Sequence, residues 1–218
     1  MEQKPEIKFG DSIERGFNLY KDNFGLLLAV VLVGGLLSSL TAGILAGPMT
    51  VGMILVTLGL LDKREPKPRF EDLFKGFDFF AQSFLFMLIW GIALVVLSVL
   101  LSFAVCVGQI LIMAVSLIAS AFLMFGMFFM ADRKMDFWPA SVAAYNLLKD
   151  NLFPLLGISI VAMLLGHVGA IACFIGVIFT APIYVCIMAV VYRDMVKDGT
   201  DAKRKIGPAA KSAPPPQA

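Results

Sequence analysis

Three long stretches without a charged residue constrain this chain more than any other feature of its sequence. They run over Phe24–Leu61, Phe79–Ala131 and Asn151–Tyr192, and their lengths are 38, 53 and 42 residues. All 18 Lys and Arg and all 16 Asp and Glu lie outside them. The hydrocarbon core of a bilayer is about 30 Å thick and is crossed by about 20 helical residues. Each stretch is therefore too long for one membrane helix and suits two.

The pattern predicts an all-α polytopic membrane protein with six transmembrane helices arranged as three hairpins. Open strands cannot cross hydrocarbon because their backbone groups would stay unpaired, and the sequence lacks the alternation of a barrel. The chain is only 16% charged, whereas a soluble domain is about one-quarter charged, which argues against a soluble enzyme. Its first 23 residues carry nine charges, so we expect no secretory signal peptide.

The basic residues predict the orientation. If every uncharged stretch crosses the membrane twice, the four charged segments share one side and hold all 18 Lys and Arg. The opposite connections, expected near Ser38–Gly47, Cys106–Gln109 and Leu165–Ala170, hold none. Because Lys and Arg mark cytoplasmic loops, we expect a multi-pass inner-membrane protein with cytoplasmic N and C termini. The net charge of +2 gives no reason to expect nucleic-acid binding.

The chain also repeats itself. Phe17–Phe24 matches Tyr145–Leu152 with five identities in eight residues, and Arg15–Phe17 aligns with Lys75–Phe77 in a weaker middle copy. We therefore expect one membrane domain, 1–195, of three units, each an amphipathic helix followed by a hairpin. The units cover about residues 9–62, 69–132 and 137–194.

The remaining segment, 196–218, changes character. It contains Lys203-Arg204-Lys205 and ends in a Pro- and Ala-rich run. Because it has no apolar face to bury, we predict a disordered cytoplasmic tail.

An aromatic stripe at helical spacing opens each unit. The residues predicted to lie in the membrane interface are Phe9, Ile13, Phe17 and Tyr20 in the first unit, Phe74 and Phe77 in the second, and Trp138 and Tyr145 in the third. Amphipathic helices of this kind tend to lie in the plane of the interface. The alternative is that they extend the spans into the cytoplasm and pack on each other.

Small residues recur at intervals of four in two of the hairpins. Those predicted to pack helices closely are Gly35, Ser39, Gly43 and Gly47 in the first hairpin, and Ala162, Gly166 and Ala170 in the last. Helices in lipid associate through close backbone contact, which small residues permit. The alternative is that the same residues line a pore or a substrate groove.

The apolar stretches offer little chemistry. His167 is the only histidine, at an expected turn, and Cys106, Cys173 and Cys186 lack the spacing of a metal or redox motif. A single histidine does not supply the ligands of a zinc site. We therefore predict no catalytic, metal-binding or cofactor-binding residue, no cofactor, and a protein that is not an enzyme.

Short motifs carry a family resemblance: Tyr145-Asn146, Lys149-Asp150-Asn151, Gly176, Pro182 and Tyr192-Arg193-Asp194. They resemble the membrane domain attached to some glycerophosphodiester phosphodiesterases, and similar uncharacterised prokaryotic six-helix inner-membrane proteins. The likeness covers most of residues 10–195 and implies a helical bundle in a bacterial or archaeal inner membrane. The hydrolase domain of that family has no counterpart in this sequence, so the resemblance implies no phosphodiesterase activity.

These features predict a structural protein that shapes the membrane or scaffolds partners. Its expected partners are membrane lipids, together with another protein or a second copy of the chain. The alternative is a channel or carrier for a small or lipid-like solute.

Overall fold

The fold comes from a computed structural model, which describes residues 9–103, 107–167 and 175–206. Over these residues the chain is 89% helical and contains no strand, which confirms the all-α class. The elements are α1 Phe9–Asp22, α2 Phe24–Leu40, α3 Ala46–Leu61, a 3-10 helix Phe70–Phe79, α4 Phe80–Ser102, α5 Val107–Arg133, α6 Phe137–Asp150, α7 Leu152–His167 and α8 Ile175–Ile206.

Three helical segments in the described residues are long and apolar enough to cross a membrane. They are Phe70–Ser102, Leu111–Arg133 and Phe179–Val196. The pair formed by α1 and α2 is bent by 89° and would count as a fourth span. The 17 residues of α2 and 16 of α3 reach only about 25 Å each at 1.5 Å per residue, less than the bilayer core. Helix length and composition thus support a membrane protein with three or four spans, and the predicted six are not confirmed.

The centre of the bundle is α3. Its residues are apolar around the whole helix, and side chains such as Val51, Ile54 and Leu58 are completely buried. A helix that is apolar on every side lies either in a protein core or in lipid, and α3 lies in the protein core. The neighbouring helices α2, α4, α5, α8 and the 3-10 helix pack against it.

We call α1, the 3-10 helix and α6 the lead-in helices, because each opens one predicted unit. Each lead-in helix packs along the last helix of another unit: α1 along α8, the 3-10 helix along α3, and α6 along α5. Within the units, α2 packs on α3, α4 on α5, and α7 on α8. The contacts therefore link the three predicted units in a closed ring.

The second lead-in helix has 3-10 rather than α geometry, and its burial follows a period of three. Residues three apart share a face of a 3-10 helix. The face toward the core carries Phe70, Leu73, Gly76 and Phe79. The exposed face carries Phe74 and Phe77, and Phe80 at the start of α4 is exposed as well.

Two glycines bring the 3-10 helix against α3. A Cβ added at Gly52 of α3 would overlap the carbonyl oxygen of Leu73, and one added at Gly76 would overlap that of Pro48. No flexible side chain could move aside at either position, because the obstacle is backbone. The two helices therefore meet backbone to backbone, which requires glycine on both.

Burial is concentrated toward the C-terminal end of α5 and in the middle of α8. Residues 124–131 of α5 and 186–192 of α8 are all buried, whereas no residue of 111–120 in α5 is buried. In α4 the buried residues are Ser83 and Phe86, both near its N-terminus. We call the region around the C-terminal ends of α3 and α5 and the middle of α8, with the lead-in helices, the packed end. We call residues 87–103 and 111–120 the exposed half.

One boundary differs from the sequence-based predictions, whereas the turn of the first hairpin lies within the predicted connection near Ser38–Gly47. The helix α8 continues to Ile206, so residues 196–206 are helical rather than disordered. Extending a formed helix needs no new nucleus and adds one hydrogen bond for each residue fixed, so a helix can continue beyond its apolar face. The first hairpin turns over Thr41–Leu45, where Gly43 has a φ of +88°. Residues 207–218 lie outside the described residues.

Candidate functional site

A cluster of ion pairs joins the C-terminal ends of α3 and α5 to the middle of α8. The Nη2 of Arg193 lies 2.6 Å from Oδ2 of Asp62 and 2.8 Å from Oδ1 of Asp132. The Nε of Arg193 also donates to Oδ1 of Asp62 at 3.0 Å, so this pair is bidentate. The side chains of Arg193 and Asp132 are each 12% exposed. Charge-assisted contacts of this kind are stronger than neutral hydrogen bonds, particularly where water is largely excluded.

Aromatic packing and a second ion pair extend the cluster. The hydroxyl of Tyr192 donates to Oδ2 of Asp132 at 3.0 Å, and its ring stacks on Phe128 with centroids 5.0 Å apart. On α1, Nη1 of Arg15 lies 3.1 Å from Oδ2 of Asp194. The cluster thus ties the first lead-in helix and the ends of all three predicted units to one place.

This arrangement is suited to holding helices and not to acid–base chemistry. The carboxylates of Asp62 and Asp132 both contact the Arg193 guanidinium, which compensates their charge. Throughout residues 9–103, 107–167 and 175–206, no three His, Cys, Asp or Glu side chains are grouped so as to hold a metal ion. Cys186 is buried with a free thiol, and Cys106 and Cys173 lie outside the described residues.

The predicted interfacial residues divide into two groups. Ile13 and Tyr20 pack into the core, and the Tyr20 hydroxyl donates to the carbonyl oxygen of Phe179 at 2.5 Å. The exposed group consists of Phe17, Phe74, Phe77, Trp138 and Tyr145, which are 40–62% exposed. Phe9 begins α1, but its side chain is not among those described. The lead-in helices therefore pack along one side and present aromatic residues on another.

The predicted ladder of small residues in the first hairpin is wrong for three of its four members. Gly35 and Ser39 are exposed on α2, and neither Gly35 nor Gly43 has a neighbour within 4 Å of an added Cβ. The turn at Gly43 breaks the helical spacing, so the four residues do not share a face. Gly47 does pack closely, because its added Cβ would lie 2.8 Å from the carbonyl oxygen of Ser83.

In the last hairpin only one of the predicted small residues has described surroundings. Ala162 is completely buried in α7. Gly166 lies in the last turn of that helix, but its surroundings are not described, and neither is the side chain of His167. Ala170 lies outside the described residues.

Sequence reasoning missed the small residues through which the lead-in helices pack. A Cβ added at Gly16 would lie 2.8 Å from the Cα of Ile187 on α8. Gly76 packs on α3 in the same way, and Ala144 of α6 is completely buried. These three residues directly precede Phe17, Phe77 and Tyr145, the aligned aromatic positions of the repeat. The alignment of the three units therefore indicated these packing positions, because in each unit a small residue is followed directly by an exposed aromatic residue.

An apolar groove lies between α4, α5 and α6, near the exposed half. Its volume is about 510 Å³, within the range of about 300–1,000 Å³ usual for ligand sites. Trp90 and Leu94 of α4, Ile118 and Phe122 of α5, and Leu148 of α6 form much of its wall. The Trp90 ring meets Phe122 edge-on with centroids 4.8 Å apart. Its indole nitrogen donates to the Ser141 hydroxyl at 3.0 Å, which fixes the ring in the wall.

Only two of the side chains around the groove end in a polar group that is free to meet a ligand. They are Tyr145 and Lys149, four residues apart on α6 and hence on neighbouring turns of the same face. Both are exposed. The groove thus combines a long apolar wall with a basic group on one helix.

Comparison with known proteins adds no relative from which a function could be transferred. No protein-family model matches the chain, and no curated protein or solved structure matches it either. The functional argument therefore depends on the geometry above.

Proposed function

We propose that the protein is a multi-pass inner-membrane protein with cytoplasmic termini, in which each unit returns to the same side. The cluster of Asp62, Asp132 and Arg193 supports this topology. Because Asp62, Asp132 and Arg193 are in contact, the chain between any two of them crosses the membrane an even number of times. Since α2 and α3 are short for full crossings, we propose that the first hairpin enters and leaves on the cytoplasmic side.

Reporter fusions test this topology. Fusions of a cytoplasmic and a periplasmic reporter after Asn18, Lys67 and Lys134 should all read cytoplasmic. A periplasmic signal at either inner loop would contradict both the even number of crossings and the positive-inside argument.

The function that the geometry supports best is structural: the protein shapes the membrane and scaffolds partners through its packed end. One observation carries this proposal, namely the uneven distribution of helices along the bundle. All three lead-in helices pack on α3, α5 and α8, while much of α4 and residues 111–120 of α5 are exposed. More protein therefore occupies the cytoplasmic leaflet than the opposite one in the proposed orientation, which produces a wedge.

The exposed aromatic residues support an interfacial position for the wedge. Phe17, Phe77 and Tyr145 occupy matching positions in the three units and are 45%, 40% and 58% exposed. Aromatic side chains favour the headgroup level of a bilayer. Insertion of amphipathic helices at that level depends on curvature, so the lead-in helices would both sense curvature and favour it.

Reconstitution into liposomes tests the wedge. The parent protein should partition into small vesicles over large ones and should reduce vesicle diameter in electron cryomicroscopy as its density rises. The triple variant Phe17→Asp, Phe77→Asp, Tyr145→Asp should lose both effects, because charged side chains leave the interface. The matched triple variant with Leu at the three positions should keep most of them.

If the Asp variant, inserted to the same level, still reduces vesicle diameter as the parent does, the wedge proposal fails. If the parent leaves vesicle shape unchanged but conducts a solute, the alternative of a channel or carrier takes its place. The groove favours a lipid-like solute over a polar one, because its wall is almost entirely apolar. The resemblance to a phosphodiesterase membrane domain stays a prediction, and we take no catalytic role from it.

A further inference from the structure

We propose that the groove between α4, α5 and α6 binds an anionic phospholipid of the surrounding membrane. An acyl chain would lie along the apolar wall, and Lys149 would contact the phosphate. This inference goes beyond the structural function proposed above and does not depend on it. It names a ligand and a residue that selects it.

The shape and chemistry of the groove favour an amphiphile. Its wall is made of Trp, Leu, Ile, Val, Ala and Phe side chains from α4 and α5, on which a hydrocarbon chain can pack at no desolvation cost. Polar solutes would lose their hydration there without gaining hydrogen bonds. An apolar chain is therefore the part of a ligand that the wall accepts.

The charge of Lys149 favours an anionic headgroup. None of the ion pairs found in the described residues involves Lys149, although Asp150 follows it in the sequence. Lysine side chains extend along apolar surfaces while their ammonium groups seek polar partners. A phosphate held at the end of the groove would be such a partner. The hydroxyl of Tyr145, one turn earlier on α6, can donate to the same group.

The corresponding place in the first unit is closed. Lys21 matches Lys149 in the repeat, and Phe24 matches Leu152. The ring of Phe24 stacks on Phe179 of α8 with centroids 6.2 Å apart, and Tyr20 bonds to the backbone of the same residue. The Phe24 side chain thus fills the place beside α1 and α8 that corresponds to the groove beside α6 and α5. Lys149 therefore lies beside an open groove, whereas Lys21 lies beside the corresponding place that is filled. Lys21 is thus the matched control for Lys149.

Tryptophan fluorescence provides a direct test, because the chain has two Trp residues, Trp90 and Trp138. In the variant Trp138→Phe, emission comes only from Trp90, which lies in the groove wall. The full-length variant is reconstituted into phosphatidylcholine vesicles that contain a small, fixed fraction of brominated lipid. The brominated lipid is either phosphatidylglycerol or phosphatidylcholine with the same acyl chains, so only the headgroup differs.

We expect brominated phosphatidylglycerol to quench Trp90 at a several-fold lower mole fraction than brominated phosphatidylcholine. Lys149→Gln should reduce this preference about fivefold, which corresponds to one basic group at an anionic surface. Lys149→Arg should retain it, and Lys21→Gln should leave it unchanged. Ala119→Phe should fill the groove and weaken quenching by both lipids.

Three results would overturn the proposal. Equal quenching by the two lipids in the parent would show that the groove is ordinary lipid-facing surface. If Lys149→Gln kept the full preference for phosphatidylglycerol, Lys149 would not be part of the site. An equal loss in Lys21→Gln would mean that the preference comes from the general positive charge of the cytoplasmic side. Since each variant carries its own Trp90 reporter, a misfolded variant is recognised by a shifted emission spectrum, and Lys149→Arg then decides the question.

Discussion

The two parts of α5 have equally apolar sequences but opposite surroundings. Residues 124–131 are buried against other helices, and Phe128 and Met130 have no exposed surface. Residues 111–120 face outward, and Met113 is 75% exposed. In a water-soluble protein, the exposed part of such a helix would be polar and the buried part apolar. In a membrane, side chains that face lipid and side chains that face protein are both apolar. Hydrophobicity therefore finds the helix without revealing which part of it packs.

The parts differ in the kind of residue rather than in polarity. The buried part contains three Phe together with Met and Gly126, and the Phe86 ring packs against Gly126. The charged Asp132 follows directly after it. The exposed part is mainly Leu, Ile, Ala and Ser. Dense packing, close glycine contacts and shielded ion pairs thus occur together at the packed end. We expect most of the stability of the fold to reside there.

Truncating a phenylalanine at each end gives the largest expected contrast. Phe128→Ala should lower the free energy of unfolding by about 3–5 kcal/mol, because it opens a cavity beside Tyr192 that the surrounding helices cannot fill. Phe103→Ala, at a position 81% exposed, should cost almost nothing, since lipid or detergent fills the space. Thermal unfolding in one detergent measures both. Similar losses for the two variants would contradict the division into a packed end and an exposed half.

Glycine-to-alanine substitutions sharpen the comparison, because the two ends should respond with opposite signs. Gly52→Ala should destabilise the protein by about 3 kcal/mol, since the new Cβ forces α3 away from the 3-10 helix. Gly91, in the middle of α4, has open space around it. Gly91→Ala should therefore stabilise the protein by up to about 1 kcal/mol, because alanine has the higher helix propensity. The midpoint of unfolding in a chemical denaturant measures both. A stabilised Gly52→Ala variant would show that this close contact does not hold the fold together.

Much of the fold follows from the sequence, because charge and helical periodicity act locally. The uncharged stretches indicated the apolar helices, and the Lys-Asp-Asn motifs marked where lead-in helices end. Helix lengths were less predictable: the bend at Asn23 separates α2 from α1, and the turn over Thr41–Leu45 divides the first uncharged stretch into two short helices. Nothing in the local pattern indicated that the second lead-in helix would take 3-10 geometry, since that depends on the approach of Gly52.

The candidate sites depend on contacts distant in the sequence, which a single sequence does not contain. Arg193 and Asp62 are 131 residues apart, and both simply looked like ordinary boundary charges. The groove exists because α6 of one unit packs on α5 of another, and the local sequence pattern does not indicate which units are neighbours. The small-residue ladder failed for a related reason: spacing identifies a possible packing face but does not supply its partner. Gly47 packs on Ser83 of the next unit and not within its own hairpin.

The smallest of these effects concerns ion pairs. Asp132→Ala should cost about 2 kcal/mol, because it removes one partner of the Arg193 guanidinium and the acceptor of Tyr192, while Asp62 still pairs with Arg193. Asp11→Ala breaks an exposed pair with Arg15, whose side chains are 41% and 54% exposed, and should cost less than about 1 kcal/mol. Unfolding at low and at molar salt separates the two, because screening weakens the exposed pair and hardly reaches the shielded one. If salt removed the effect of Asp132→Ala as well, the cluster would be open to water, and its role in tying the three units together would fail.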